Sequence, residues 1–309
     1  MNSDLLQTPP PVPQNFHVVG IGASAGGLDA FKKFLRAVPE DSGMAYVLIQ
    51  HLSPKHESVL PDILGRETNI PVYEIVDEIN LAPNNVYIIP ENKILISYDG
   101  VLKLLPRSES VKPNMPIDIF FHSLAEVHKS FAIGVILSGA AFDGTKGLKS
   151  IKELGGSTIA QDPMTAAFES MPYHAVKSNA VDFVLPPEHI PQQLQMIRNA
   201  YINSYSHSEI DDMPRTDEEI FRNILRMLRL RTGNDFTNYK QATIRRRIAR
   251  RMVLAKRDLP GEYLALLRTD KGEQDALFND VLIPVTYFFR DGKIFDSLPG
   301  AVYPMLIKN

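Results

Sequence analysis

The sequence predicts an α/β fold, a doubly wound and mostly parallel sheet with a β-hairpin insertion, followed by a small all-α domain. Three observations carry this. From residue 16 to about residue 200, short apolar runs alternate with helix-length amphipathic stretches, the pattern of βαβ units. Asp99-Gly100 joins two apolar runs in the way a two-residue hairpin turn does. Beyond residue 215 the strand texture gives way to helical periodicity. A chain of 309 residues has room for one large domain and a smaller one.

The N-terminal stretch, residues 1–14, lacks a basic start and an apolar core and contains Pro9-Pro10-Pro11-Val12-Pro13. It reads as a disordered tail rather than a signal peptide. The first strand is the apolar run 16–21. Leu28, Phe31, Leu35 and Val38 then repeat at helical spacing until Pro39 stops the helix. The second strand covers 46–50, a short helix 58–65, and a further strand 72–75. Residues 86–105 hold three apolar runs (86–89, 94–96 and 101–105), read together as an antiparallel insertion or edge. Parallel-sheet texture returns at 133–137, 157–160 and 181–185, and a helix over 190–201 closes a domain spanning 15–202. Residues 203–215 are polar and aperiodic, a linker. In the second domain, 216–309, Thr216-Asp217-Glu218-Glu219 forms a capping box ahead of Ile220, Ile224 and Leu228. Residues 240–257 carry eight lysines and arginines and no acid, over an apolar stripe of Ile244, Ile248 and Met252. That helix is expected to pack one face and expose a cationic one, available to an acidic protein surface.

Composition narrows the function. Hydrophobic content of 44% and charged content of 22% fit a soluble globular protein, and a net charge of −3 gives no global field for nucleic acid. The basic run has no interleaved aromatics, which argues further against nucleic acid. No apolar run approaches the roughly 18 residues that span a bilayer, so no membrane insertion is expected. Cysteine is absent, which excludes disulfides and a cysteine nucleophile. A cytoplasmic protein is expected.

Ser24 lies in Gly22-Ala23-Ser24-Ala25-Gly26-Gly27, between the first strand and the first helix. G-x-S-x-G at a strand-to-helix turn presents a serine oxygen above a sheet edge, beside free N–H groups that can hold an oxyanion. The same stretch fits G-x-G-x-x-A, the dinucleotide fingerprint. That reading requires an acidic residue at the end of the second strand, where Gln50-His51 stands. A histidine there is wrong for a ribose and right for a general base. Asp143 follows the strand 133–137 in a Gly-rich loop. Serine, imidazole and carboxylate at three strand ends supply nucleophile, base and orienting group. Each also has a structural reading: Ser24 as the small residue of a tight turn, His51 as a strand end, Asp143 as an N-cap for the following helix. His51 and His56 are not at i, i+4 spacing and no cysteine supports zinc, so no metal site is expected.

These motifs, with Gln50-His51-Leu52-Ser53-Pro54, Ile136-Leu137-Ser138-Gly139, Asp143-Gly144-Thr145-Lys146-Gly147-Leu148, Ile159-Ala160-Gln161-Asp162 and Met171-Pro172, resemble the catalytic domain of the chemotaxis CheB family, the protein-glutamate methylesterases. The resemblance covers about residues 15–200. It implies Ser24 as nucleophile, His51 as base and acid, Asp143 as orienting carboxylate, and Ala25, Gly26, Gly139, Ala140 and Met171 as oxyanion and substrate residues. It implies no cofactor for the esterase. Its substrate would be a glutamate methyl ester on the cytoplasmic helices of a chemoreceptor, and some relatives also deamidate glutamine. Where the family usually has Gly-Met-Gly, this chain has Gly139-Ala140-Ala141, so one wall of the site is changed. The best-known members of the family carry an inhibitory receiver domain; with only a short tail ahead of Phe16, that regulation is expected to be missing from this chain. Asp280-Val281-Leu282-Ile283-Pro284-Val285-Thr286-Tyr287-Phe288-Phe289-Arg290-Asp291 resembles the signature of the CheR methyltransferase family. That likeness implies Thr286 and Arg290 in an incomplete S-adenosylmethionine site, so methyl transfer is expected only from a longer chain. The reading of another class is a non-catalytic, receptor-binding scaffold that keeps the esterase fold.

Overall fold

The run 18–23 is buried along its whole length, as a strand covered on both faces must be. In the computed structural model, which describes residues 16–50, 59–98, 100–107, 115–206, 215–236, 239 and 241–282, it is the central strand β1 (Val18–Ala23). The chain continues through α1 (Gly27–Arg36), β2 (Ala45–Gln50), α2 (Leu60–Gly65), β3 (Val72–Glu74), β4 (Ile79–Asn80), β5 (Asn85–Ile88), β6 (Lys93–Tyr98) and β7 (Val101–Pro106). Then come α3 (Pro116–His128), β8 (Ala132–Ile136), α4 (Thr145–Glu153), β9 (Ser157–Gln161), α5 (Ser170–Lys177), β10 (Phe183–Leu185) and α6 (Ile190–Ser206). The last described elements are α7 (Arg215–Thr232), α8 (Gln241–Leu254), α9 (Pro260–Thr269) and α10 (Lys271–Val281).

Seven strands form one parallel sheet in the order β10-β9-β8-β1-β2-β5-β3. The chain leaves β1 to one side first and returns to its other side at β8. The topological switch therefore lies between β1 and β8, where open α/β sheets bind their ligands. Alternate strand residues feed two cores. Val18, Val47 and Ile136 face α3, α4 and α5, while Ile21, Leu48 and Val135 face α1, α2 and α6. α3 lies close over β1 because Gly22 leaves room for Ile117: a Cβ at position 22 would fall 2.5 Å from Ile117 Cγ2.

Two expectations are corrected. Residues 86–89 were assigned with the antiparallel insertion, but β5 pairs in parallel with both β2 and β3. Val86, Tyr87 and Ile88 are all buried, the mark of an inner parallel strand. The insertion is the β6–β7 hairpin with β4 at its edge. The basic helix does not present a cationic face either. On α8, Arg245 pairs with Glu218 at 2.6 Å and stacks on Phe221, Arg251 binds Glu273, and Arg247 is buried over Gly155. Arg250 bridges Asp182 of the sheet domain, at 2.6 Å, and Asp280 of the helical domain. These side chains point inward because α8 packs on both α6 and α10. Arg245, Arg250 and Arg251 are spent on this chain's own carboxylates, and Arg246 on the Tyr201 and Thr243 hydroxyls.

α6 runs to Ser206, into the stretch read as a linker, and residues 207–214 lie outside the described residues. The helical domain has its own core of Phe221, Ile224, Leu228, Ile244, Tyr263 and Leu277. It docks where β9 and β10 begin, at Gly155 and Asp182, which is the amino edge of the sheet. Among the described residues no helix is long and apolar enough to cross a membrane.

Candidate active site

β1 ends at Ala23, and Ser24 continues its ladder by donating its N–H to Ser138 O at 3.0 Å. Ser24 thus stands at the switch point, half-buried, with Gly27 N closing the turn onto Ser24 O at 2.9 Å. The turn reaches α1 through Gly26 at φ +71°, a left-handed conformation that favours glycine. Ala25 N and Gly26 N have no acceptor among the described residues, so both lie open at the start of α1. That is the arrangement an oxyanion hole needs.

The opposite wall is the loop after β8. Gly139 N donates to Phe168 O and Gly139 O accepts from Met171 N, both at 3.0 Å. The Gly139 N–H is therefore engaged within the loop. A Cβ at position 139 would collide with the Met171 sulfur and fall 3.1 Å from Ser24 Cβ, so glycine is required where these three residues converge. Ala140 is exposed and Met171 fully buried beneath the loop. Ala141 adopts φ +67°, the left-handed region, in the place of the second glycine of Gly-Met-Gly. The loop keeps a glycine conformation without glycine, and Ser170 Oγ anchors it by donating to Ala141 O at 2.9 Å.

Asp143 is buried at 1% exposure. It does not cap the helix that follows it. Its Oδ2 accepts from Ile117 N at 3.0 Å and its Oδ1 from Asp118 N at 2.9 Å, both in the first turn of α3. Two helix N–H groups fix the carboxylate in place. The Ile117 side chain is the joint of the site, lying against both Gly22 of the serine strand and Gly144 beside Asp143. His51 lies outside the described residues, as do Thr286 and Arg290. Its neighbour Gln50 is the Cα partner of Ala23, so the strand ends leading to Ser24 and to position 51 are side by side.

Three further residues shape the site, and sequence reasoning gave them no role. Ser138 Oγ donates to Ala25 O and accepts from Phe168 N, each at 3.0 Å. Gln161, at the end of β9, accepts from Ser138 N at 2.8 Å. Asp118 accepts from Gly147 N at 2.8 Å. For Ser138 and Gln161 the available signal was a polar residue at a strand end; Asp118, in the first turn of α3, carried none. Around the serine edge, Phe142, Met164, Phe168 and Tyr173 are exposed and form an apolar collar. Among the described residues no group of three His, Cys, Asp or Glu could hold a metal ion.

The sequence matches the family described as CheB methylesterase over residues 19–194, and that described as CheR methyltransferase, all-alpha domain, over 219–282. A putative protein-glutamate methylesterase/protein-glutamine glutaminase of Leptospira interrogans is 37% identical over 180 residues, covering 58% of this chain and 93% of that protein. A 104.1 kDa protein of Rhodobacter capsulatus is 34% identical over 267 residues, 80% of this chain. The chain spans 28% of that relative's length, and 52% of a protein-glutamate methylesterase/protein-glutamine glutaminase of Burkholderia pseudomallei that is 36% identical over 57% of this chain. The crystal structure of the Thermotoga maritima CheB methylesterase catalytic domain superposes with a TM-score of 0.54 at 31% identity, covering 59% of this chain and 98% of that one.

Proposed function

Because this chain belongs to the CheB methylesterase family and carries a CheR-type all-alpha domain behind it, we propose that it hydrolyses glutamate methyl esters on chemoreceptor helices through Ser24, His51 and Asp143. The observation that supports the reading is that Ser24 and the buried Asp143 follow neighbouring strands at one sheet edge, with Ile117 against both Gly22 and Gly144, and that Ala25 N and Gly26 N have no acceptor among the described residues.

In this mechanism His51 takes the Ser24 hydroxyl proton as the oxygen attacks the ester carbonyl. The tetrahedral oxyanion is held by Ala25 N and Gly26 N. Its collapse breaks the bond to the methoxy oxygen, which leaves as methanol with the proton from His51. A glutamyl ester on Ser24 remains. Water, deprotonated by His51, attacks it and releases the glutamate carboxylate. Asp143 holds the imidazole tautomer and stabilises its charge. The apolar collar suits a neutral methyl ester better than the anionic product, which favours product release.

The test is methanol release from a receptor cytoplasmic fragment carrying radiolabelled methyl esters. Release by the chain is expected. Binding of the fragment without release would instead support the scaffold reading, which Ala140-Ala141 in place of Met-Gly favours.

A further inference from the structure

Two helices at the site exchange their caps. The N-cap residue of α3 is Met115 and that of α4 is Gly144, and neither supplies a side-chain acceptor. Asp143, directly ahead of α4, serves α3 instead, accepting from Ile117 N and Asp118 N. Asp118, in the first turn of α3, serves α4, accepting from Gly147 N at 2.8 Å. Gly147 lets the helices approach this closely, since a Cβ there would fall 3.2 Å from Asp118 Cα.

An aspartate next to a helix start ordinarily caps that helix, because its short side chain reaches N–H groups two or three residues on. For Asp143 the competing groups are Thr145 N, which donates to Phe142 O, and Lys146 N, which lies against the Asp118 carboxylate beside Gly147 N. We propose that Asp118 is a positioning residue for the triad carboxylate: by capping α4 from across the interface, it removes the local partner toward which Asp143 would otherwise turn. The inference rests on Asp143 being the orienting carboxylate of the proposed esterase. In this role Asp118 acts through the hydrogen bond that its carboxyl oxygen accepts from Gly147 N. Burial pushes its carboxyl group above the usual range, and the neighbouring Asp143 adds to that. An amide oxygen at the same place should therefore serve as well.

The experiment compares Asp118→Ala with Asp118→Asn in the full chain. Asp118→Ala should lower kcat for methyl-ester hydrolysis on the order of a hundredfold with KM unchanged, as small displacements of a catalytic group do. Asp118→Asn should restore kcat to within about threefold of wild type, as its amide oxygen still accepts from Gly147 N. Amide hydrogen exchange supplies a readout independent of activity. In Asp118→Ala the amides at positions 117 and 118 should exchange roughly fivefold faster, as expected when one capping acceptor is lost. Unchanged kcat and unchanged exchange in Asp118→Ala would overturn the proposal, as would equal impairment of the two variants. If the wild type releases no methanol, the esterase reading fails, and exchange alone decides whether Asp118 holds Asp143 on α3.

Discussion

Ala141 stands in a conformation that favours glycine. Its φ of +67° costs an alanine about 1 kcal/mol that glycine does not incur. The flanking bonds, Gly139 N to Phe168 O and Ser170 Oγ to Ala141 O, hold the loop in that shape regardless. Ala141→Gly should therefore stabilise the protein by at most roughly 0.6 kcal/mol in urea denaturation, the released strain being largely offset by glycine's freedom in the unfolded chain. A net loss of stability would show that the loop is not strained there. At this scale the sequence was legible for the turn at Ser24, where Gly26 at φ +71° is a local requirement, but not for Gly22, which is needed by Ile117 on α3. Asp143 could be found by its place at a strand end. Its partners could not, because Ile117 and Asp118 lie 26 and 25 residues away and no local pattern encodes a cap borrowed from another helix.

Elements were legible where one periodicity had one meaning. β1, β2, β8 and β9 follow from apolar runs between helix-length segments, and Ile244, Ile248 and Met252 do line the inner side of α8. β5 was misassigned because an apolar run of four residues looks the same in a hairpin and in an inner parallel strand. Two buried histidines tie elements together and set a pH response. His128, at the end of α3, places Nε2 3.1 Å from Ser97 Oγ of β6, and burial lowers its pKa to about 4. His17, ahead of β1, packs edge-on against Phe131 and Tyr201, and burial, helped by Arg198, lowers its pKa to about 3. Both are neutral when folded and take up a proton on unfolding below pH 6.5. Their stabilisation is complete above pH 6.5 and declines as pH falls toward 4 and 3. Between pH 6.5 and 5 each should account for a loss of about 2 kcal/mol. Denaturation at the two pH values should show that fall, and His128→Gln should lose one histidine's share. An identical pH slope in the variant would contradict the assignment.

Across the whole molecule, the helical domain and the serine occupy opposite edges of one sheet. Arg250 holds the domains together at the amino edge through Asp182 and Asp280, with Lys152 3.1 Å from Asp182. Periodicity could not foresee this, since those aspartates are 68 and 30 residues from Arg250. Among the described residues, the contacts of the helical domain with the sheet lie at this amino edge, away from Ser24. Arg250→Met leaves two poorly solvated carboxylates uncompensated and should cost about 3–5 kcal/mol, reduced by whatever Lys152 recovers. Methanol release below the melting temperature should stay within about twofold of wild type, because the sites are independent. A large fall in kcat at unchanged folding would mean that the domain interface governs the esterase.

The claim on which the rest depends is that Ser24 is the nucleophile. The most direct measurement is methanol release from methyl-esterified receptor fragment by wild type and by Ser24→Ala, with equal melting temperatures establishing that both are folded. The account predicts a loss of at least about a thousandfold in the variant, the scale on which serine hydrolases lose activity with their nucleophile. Release by Ser24→Ala as fast as by wild type would contradict it.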